Sequence, residues 1–254
     1  MGRYADAVRV HGSEIHYATV SPRTAQCALN WDEIRLVVFD VDGTLYDQRG
    51  LRLRMLQEML LSSIRRRDID FISILRAYRR IREQLGDSLQ EDFERELNSR
   101  TAALVGCSEE QVRSTAGEWL ERRPLRHLIR YRYPLLPELF QGLRKQGKTI
   151  GIFSDYPARE KLEALELNAD VIVCASDEDV GVLKPHARGL HVLMSRAATN
   201  PAETILIGDR PERDGLAAQA ANVRALILSR KSLGGWQTFK RYDDPLFSTA
   251  GLFG

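Results

Sequence analysis

Two aspartates one residue apart, Asp40 and Asp42, follow the apolar run VVF at 37–39 and precede Gly43. Like charges at this spacing repel each other, and the burial of either carboxylate is costly, so a bound cation or strong hydrogen bonds are needed to relieve the site. Glycine at position 43 allows the backbone to turn sharply and to approach a ligand closely. Calcium loops use a similar pattern, but an EF-hand requires a preceding helix, and here a strand is predicted. The stretch therefore indicates a ligand site at the end of a buried strand.

Polar residues also follow three further apolar runs of the chain. Ser154 ends the second run, Lys184 lies beyond the third, and Asp209 and Asp214 lie in GDRPERD at 208–214, after the fourth. Each residue alone has an ordinary use as a helix cap or a surface charge, but four such groups after four successive runs are improbable as accidents. Carboxylates suit a hard divalent cation such as Mg²⁺, and a lysine and a hydroxyl group can bind phosphate oxygens. Because an aspartate can attack phosphorus, the set is complete for phosphoryl transfer.

The elements that must position these groups are predicted from hydrophobic runs and periodicity. Short, nearly unbroken runs rich in Val and Ile are typical of strands buried on both faces. Strands that alternate with helices favour a parallel sheet with helices on both sides, and ligands collect at the carboxyl ends of such strands. The predicted strands are 35–39, 149–153, 171–174, 204–207 and 225–228, and the predicted helices are 157–167, 186–198 and 214–221.

Between the first two strands, residues 48–133 contain no convincing strand. Apolar residues recur at helical spacing over 51–64 and 72–85, and further helices are predicted at 90–104 and 109–122. This pattern predicts a small helical bundle inserted into the sheet domain. The insert is rich in arginine and contains no lysine. These arginines either solvate the bundle surface or, for a few of them, face an anionic ligand.

In this order, DVDGT at 40–44, Ser154, Lys184 and GDRPERD at 208–214 resemble the four motifs of the haloacid dehalogenase superfamily. The resemblance covers roughly residues 34–230 and is closest to the magnesium-dependent phosphatases with a helical cap after the first motif. It implies an α/β fold with a Rossmann-like three-layer core, a parallel sheet and an inserted α-helical cap. The core would comprise 34–47 and 134–254, the cap 48–133, and 1–33 an N-terminal extension of uncertain structure.

The resemblance also implies roles for the matching residues. Asp40 would be the nucleophile, and Asp42 the general acid/base that protonates the leaving oxygen and then activates water. Ser154, Lys184 and Gly43 would bind phosphate, and Lys184 would also screen the charge of Asp40. We expect the anionic neighbours of Asp42 to favour its protonated form near neutral pH.

The implied cofactor is Mg²⁺. Its ligands would be the side chains of Asp40 and Asp209 and the backbone carbonyl of Asp42, with Asp214 supporting the metal directly or through water. Closure of the cap would exclude water, with hinges near 46–48 and 132–134.

A cap of this size indicates a small phosphorylated metabolite as substrate. Arg52 or Arg54, near the first junction, is predicted to touch the leaving group of that substrate.

Single residues distinguish several alternative reactions within the superfamily. Dehalogenase members lack an aspartate at the position of Asp42, which therefore favours phosphate chemistry. Phosphonate hydrolases of this group use a cap lysine, and the first lysine of this chain is Lys145, beyond the insert. A sugar phosphate mutase or phosphotransferase stays open, as does a non-catalytic binding module on the same fold.

Composition and the lengths of the apolar runs also bear on nucleic-acid binding, membrane association and cellular location. A net charge of +2 over 254 residues gives no support to nucleic-acid binding. No apolar run approaches the roughly 18 to 20 residues of a membrane span, and the beginning of the sequence lacks a secretory pattern, so we expect no membrane partner and a cytoplasmic location. A weak alternation at 11–20 indicates an edge strand or a hairpin, and the segment after 229 is predicted to be irregular with one short helix near Trp236. The oligomeric state, monomer or homodimer, is left open.

Overall fold

The structure is a computed structural model that describes residues 29–66, 69–248 and 251–252. Its centre is a six-stranded sheet with the order β3-β2-β1-β4-β5-β6, in which all neighbouring strands are parallel. The predicted α/β fold with a parallel sheet is therefore confirmed. The strands are β1 Leu36–Phe39, β2 Thr149–Ser154, β3 Val171–Cys174, β4 Thr204–Gly208, β5 Arg224–Leu228 and β6 Gln237–Phe239.

The strands pack on both faces because alternate side chains point to opposite sides of the sheet. Val37 and Phe39 belong to one apolar core, with Leu139 and Leu162 of the helices on that face. Leu36 and Val38 belong to the other, which the helices on the opposite face complete. This is a three-layer sandwich. Its helices are α6 Leu136–Lys145, α7 Arg159–Ala164, α8 Arg188–Arg196, α9 Leu216–Ala220, which follows a π-helical turn at Pro211–Gly215, and α10 Pro245–Ser248.

The last part of the sheet differs from the sequence-based expectation. Where an irregular segment with a helix near Trp236 was predicted, the chain forms β6, which pairs with β5 from Leu226 to Leu228. A short helix follows only at Pro245–Ser248. Phe239 and Phe247 pack edge to face with their ring centroids 5.1 Å apart, which holds this segment against the core. Three residues are too few for the alternation of a strand to be recognised.

The helical insert lies between β1 and α6, and an isolated antiparallel bridge between Tyr46 and Arg132 closes its base. The helix predicted at 109–122 ends as an α-helix at Ala116 and continues through a π-helical turn, Gly117–Arg122, into a helix that was not predicted. The α-helices of the insert are α1 Gln48–Arg66, α2 Asp70–Asp87, α3 Phe93–Val105, α4 Glu109–Ala116 and α5 Arg123–Tyr131.

Helix α1 buries only one side of its apolar stripe. Leu51, Met55 and Met59 are buried, whereas Leu56 and Ile64 are 51% and 75% exposed. The expected edge strand at 11–20 lies outside the described residues. Among the described residues, we find no helix with the length and apolar character that a membrane crossing requires.

Candidate active site

The carboxyl edge of the sheet brings the acidic residues together with Lys184. Asp40 follows β1, and its backbone N–H continues the pairing with β4 by donating to Ile207 O at 2.9 Å. Lys184, only 2% exposed, places its Nζ 2.6 Å from Asp40 Oδ1 and 2.7 Å from Asp214 Oδ1. Residues far apart in the sequence therefore converge because parallel strands end at the same edge.

Three carboxylates form an acidic cluster around this lysine: Asp40, Asp209 and Asp214 each offer an oxygen atom within 4.8 Å of the others. Asp214 Oδ2 accepts hydrogen bonds from the backbone N–H groups of Asp209 and Arg210, at 3.2 and 3.0 Å. Asp209 Oδ1 is buried and has no hydrogen-bond partner among the described residues. A buried carboxylate oxygen without a partner is costly unless a ligand binds it.

Gly43 makes the approach of the loop to the acidic cluster possible. Its φ of +102° is a conformation that side chains with a Cβ rarely adopt, and a Cβ at this position would lie 2.3 Å from Asp209 Oδ2. Any other residue at 43 would have to displace a carboxylate of the cluster. The interpretation of this glycine as a close-approach position is supported by that contact.

The electrostatics of the acidic cluster favour an added cation. Burial raises the pKa of Asp40 well above its ordinary value, and although Lys184 opposes this shift, Asp214 and Asp209 reinforce it. Burial and the neighbouring Asp214 also raise the pKa of Asp209, to about 7. Asp40 and Asp209 thus lack sufficient positive charge nearby to offset the burial of their ionised forms. Oxygen donors at this spacing suit a hard divalent cation such as Mg²⁺.

Asp42 lies in a different environment. Lys161 Nζ donates to both of its carboxylate oxygens, each at 2.7 Å, and the Tyr46 hydroxyl donates to Oδ1. Burial alone would raise the pKa of Asp42, but the charge and hydrogen bonds of Lys161, together with Tyr46, outweigh it and lower the pKa. The expectation that anionic neighbours favour the protonated form of Asp42 is therefore wrong, because Lys161 and Tyr46 favour the ionised form.

Lys161 was not found from the sequence. It lies on α7, within a helix that was predicted, yet it is only 5% exposed. A lysine in an amphipathic helix is usually a surface residue. The spacing nevertheless offered a signal, because Lys161 shares the buried face of this helical segment with Ala158, Leu162 and Leu165 at i, i+3, i+4 and i+7.

Ser154 ends β2 and is fully buried, as a strand-end residue should be. Its Oγ accepts a hydrogen bond from the backbone N–H of Tyr156 at 3.2 Å, while the next residue, Asp155, accepts from the Lys184 backbone N–H at 3.0 Å. These contacts tie the second and third predicted motifs together at adjacent strand ends.

A cavity of about 330 Å³ opens above these groups. Asp40, Asp42, Lys161 and Lys184 line its floor, and the insert supplies mainly apolar side chains and two arginines to its roof. The roof residues are Gln48, Leu51, Arg52, Met55, Arg79, Glu83, Trp119, Leu120, Pro124 and Leu128. A larger and more open groove of about 630 Å³ lies on the outer side of α2 and α3, but no carboxylate lines it, so we assign the chemistry to the smaller cavity.

The two arginines predicted to contact substrate have different positions. Arg52 lines the cavity. Arg54 is not among the lining residues, and its Nε lies 3.7 Å from Glu58 Oε1, one turn along the same helix. Residues two apart on a helix differ by about 200° in direction, so the two side chains cannot both face the same cavity. We therefore retain only Arg52 for the substrate hypothesis.

Helix α2 of the insert is joined to the core beside the acidic cluster. Arg213, 5% exposed, donates to Lys184 O at 3.0 Å, to Glu83 Oε2 at 2.9 Å and to Asp87 Oδ1 at 2.7 Å. Arg210 binds both oxygens of Glu83 at 3.0 Å. Both arginines of the GDRPERD stretch therefore bind the insert.

Arg82, on helix α2 of the insert, makes a further contact between the insert and the core. The Arg82 guanidinium lies 5.0 Å from the ring centroid of Phe93 and 4.0 Å from that of Tyr156, and it donates to Asp155 O. Aromatic faces stabilise a guanidinium that is largely removed from water. The insert is thus held over the cavity by contacts that begin next to Lys184 and Asp155.

Curated relatives of the chain include two phosphatases. It is 24% identical over 198 residues to phosphoglycolate phosphatase 1 of Pseudomonas aeruginosa, which covers 77% of this chain and 69% of that protein. It is 22% identical over 203 residues to glyceraldehyde 3-phosphate phosphatase of Methanothermobacter thermautotrophicus, covering 77% of this chain and 86% of that protein.

Solved structures with the same fold include a 2-haloacid dehalogenase from Pseudomonas syringae, with a TM-score of 0.60 at 20% identity over 86% of this chain and 97% of that one. The HAD-hydrolase YfnB of Bacillus subtilis bound to magnesium has a TM-score of 0.60 at 19% identity, covering 86% and 99%. At these identities the likeness shows the fold and leaves the reaction open.

The family itself is fixed by the sequence match. Residues 34–222, about three quarters of the chain, match the haloacid dehalogenase-like hydrolases. This range contains the acidic cluster, Asp42, Ser154 and Lys184, and it agrees with the resemblance that the four motifs predict. The chain therefore belongs to the family of haloacid dehalogenase-like hydrolases.

Proposed function

We propose that this protein is a magnesium-dependent phosphatase that hydrolyses a small phosphorylated metabolite through an aspartyl-phosphate on Asp40. The observation that carries the proposal is the convergence of three carboxylates, those of Asp40, Asp209 and Asp214, with Lys184. Asp40, Asp214 and Lys184 line the cavity under the insert. Asp42 beside them supports phosphate rather than dehalogenase chemistry. The phosphatase names of the relatives support a small phosphorylated substrate.

The residues present fit Mg²⁺. Asp40 and Asp209 would hold it with the backbone carbonyl of Asp42, and Asp214 would support it directly or through water. The buried Asp209 Oδ1 without a partner and the raised pKa of Asp209 both indicate that a cation belongs there. When bound, such an ion neutralises carboxylate and phosphate charge and orients the phosphoryl group.

In the first step, an Asp40 carboxylate oxygen attacks phosphorus, the new O–P bond forms, and the bond to the leaving oxygen breaks. Lys184 lies 2.6 Å from that carboxylate and offsets negative charge on the phosphoryl oxygens. Ser154, at the end of β2, and Gly43, in the loop after β1, would bind phosphate oxygens. The cap, residues 48–133, would exclude water from the first step.

Asp42 would transfer the protons of both steps. It gives a proton to the leaving oxygen, and it then takes one from the water that attacks the aspartyl-phosphate and frees Asp40. The lowered pKa of Asp42 suits the second role directly. For the first role it must gain a proton, and a phosphate dianion bound alongside would raise its pKa because like charges disfavour ionisation.

The test is phosphate release by the purified protein from p-nitrophenyl phosphate and a panel of metabolite phosphates, with Mg²⁺ or with EDTA. We expect release with Mg²⁺ and loss of it in EDTA. Silence across the panel would contradict the proposal and favour a non-catalytic module. Exchange of phosphate between isomers with a bisphosphorylated intermediate would instead identify a mutase.

The substrate hypothesis for Arg52 is tested with the metabolite found in that panel. Because Arg52 lines the roof of the cavity, Arg52→Ala should raise KM for that metabolite more than for p-nitrophenyl phosphate. Arg54→Ala is the matched control, since Arg54 does not line the cavity. Equal KM values for the two variants would remove Arg52 from the specificity residues.

A further inference from the structure

We propose that Lys161 is a positioning residue that holds the Asp42 carboxylate in the orientation from which it meets the leaving oxygen. The inference rests on the proposed function. It concerns a residue that none of the four motifs contains.

The contact itself is unusually complete. Lys161 Nζ lies 2.7 Å from Asp42 Oδ1 and 2.7 Å from Oδ2, so one ammonium group spans the whole carboxylate. Such a contact restrains rotation about the bond that carries the carboxylate, which a single hydrogen bond does not. The two residues are 119 positions apart in the sequence, and the pair joins α7 to the loop after β1.

Lys161 has few other roles in this structure. Within the described part of the chain, Asp42 supplies the hydrogen-bond acceptors of its ammonium group, and the ring of Tyr156 lies 5.0 Å below it. Burial of an ammonium group costs free energy, and the apolar Leu162 and Leu165 are its neighbours on α7. An apolar residue at 161 would serve packing more cheaply, so the lysine is best explained by the orientation it gives to Asp42.

The second donor distinguishes the two oxygens of Asp42. Tyr46 donates to Oδ1, which therefore has two partners, while Oδ2 has Lys161 alone. Oδ2 keeps more free acceptor capacity for a substrate atom. Tyr46 also lies at the base of the insert, in the bridge to Arg132, whereas Lys161 belongs to the core. Lys161 can thus hold Asp42 even when the insert moves.

The kinetic test uses Lys161→Met and a series of aryl phosphates whose leaving groups become less acidic, from 2,4-dinitrophenyl through 4-nitrophenyl to phenyl phosphate. A poor leaving group needs its proton, and general acid help is worth about 10²–10⁴ in rate. We expect kcat for phenyl phosphate to fall by about 100-fold or more, kcat for the dinitrophenyl ester by less than about tenfold, and KM to change little. An equal fall across the series, or a higher KM with unchanged kcat, would overturn the proposal.

Lys148→Met is the matched control for removal of a buried lysine. Lys148 is 8% exposed and its Nζ donates to Trp31 O at 2.6 Å and Ile34 O at 2.8 Å, outside the lining of the active-site cavity. This variant should lower thermal stability but leave the dependence on the leaving group unchanged. If it changed that dependence as Lys161→Met does, the effect would be structural and the positioning role would be rejected.

A second measurement does not depend on activity. Crystal structures of the wild type and of Lys161→Met should show one Asp42 orientation in the former and a rotated or multiple orientation in the latter. An unchanged Asp42 carboxylate in the variant would overturn the proposal even if the enzyme were active. Failure of the wild type to hydrolyse any aryl phosphate would count against the proposed function, while the crystallographic comparison would still decide the role of Lys161.

Discussion

The two aspartates of the DVDGT loop contact different buried lysines, Asp40 contacting Lys184 and Asp42 contacting Lys161, and the two surroundings differ in charge balance. Lys184 is shared between Asp40 and Asp214, with Asp209 close by, so the acidic cluster carries more negative than positive charge. Lys161 serves Asp42 alone. Burial acts to raise the pKa of both carboxyl groups. At Asp40, Asp214 and Asp209 reinforce that rise against Lys184, whereas at Asp42 the charge and hydrogen bonds of Lys161, together with Tyr46, outweigh it and lower the pKa.

This difference shows which carboxylates have their charge balanced by residues of the protein and which require an added cation. The Asp42–Lys161 pair is close to neutral and is fixed by hydrogen bonds, so it needs no added ion. The acidic cluster becomes balanced only when a cation or protons are added. In the proposed mechanism, this difference assigns Asp40 to the metal and to phosphorus, and Asp42, two residues further on, to proton transfer.

The largest effect on turnover is expected from substitution of the two aspartates, and its size should differ between them. Asp40→Asn should abolish turnover, because an amide cannot form the aspartyl-phosphate. Asp42→Asn should slow turnover by about 10²–10⁴, since the nucleophile remains and only acid–base help is lost. Initial rates with p-nitrophenyl phosphate at saturating Mg²⁺ measure both, and circular dichroism checks the fold. Activity of Asp40→Asn near that of the wild type would remove Asp40 as the nucleophile.

Metal removal should distinguish the acidic cluster from the Asp42 pair. Mg²⁺ should raise the melting temperature of the wild type by several degrees, because a ligand that binds only the folded state stabilises it. Asp209→Asn should lose most of this shift and most activity, while Lys161→Met should keep the shift. Thermal denaturation with a Mg²⁺ titration is the measurement. An equal Mg²⁺ shift in Asp209→Asn and the wild type would contradict the metal assignment.

The same comparison predicts a pH dependence of stability. In the metal-free protein, the pKa of Asp209 is about 7, above its ordinary value of 3.8, so folding favours the protonated form. That contribution is fully present below the unfolded value and is lost as the pH rises through about 7. In EDTA, the melting temperature should therefore be lower at pH 8 than at pH 5.5.

Two controls sharpen the pH experiment. Added Mg²⁺ should narrow the difference between pH 5.5 and pH 8, because the cation stabilises the ionised carboxylate. Asp209→Asn should narrow it in EDTA, since the titrating group is gone. A wild-type melting temperature in EDTA that rises between these pH values would show that the acidic cluster is not short of positive charge.

The sequence predicts a site residue when the feature that places the residue, such as the end of a parallel strand, can be recognised in the sequence. Asp40, Lys184 and Asp214 converge as predicted because parallel topology places strand ends at one edge, and apolar runs reveal the strands. Lys161 was missed although it shares the apolar face of its helix with Leu162 and Leu165, because a lysine in an amphipathic helix is usually exposed. The lowered pKa of Asp42 depends on that same lysine.

The fold, too, contains elements that the sequence predicts and elements that it does not. Five of the six strands were predicted, because runs such as LVVF and TILI are long enough to be recognised. The sixth, Gln237–Phe239, owes its place to pairing with β5 and to the aromatic contacts of Phe239. Helical periodicity predicted α1, but its stripe did not reveal that Leu56 and Ile64 would remain exposed.

The smallest effect is expected from the ion pairs that join the insert to the core. These pairs lie beside the acidic cluster and do not involve Asp42 or Lys161. Glu83 joins α2 to Arg210 and Arg213, and its side chain is 54% exposed. Exposed ion pairs contribute roughly 0.2–1 kcal/mol each. Glu83→Gln should therefore raise KM by only a few-fold, because the closed form of the cavity becomes less populated, and should leave kcat within about threefold.

Glu96→Gln is the matched control for that variant, since Glu96 is an acid of the insert paired with Arg100 within α3 at 2.6 Å. Steady-state kinetics at low and high NaCl measure the effect, because salt screens exposed pairs. The wild-type KM should rise with salt, and the rise should be smaller in Glu83→Gln than in Glu96→Gln. If the two variants respond alike, the pairs of Glu83 do not control closure, and the buried contacts of Arg82 and Arg213 are sufficient to hold the insert over the acidic cluster.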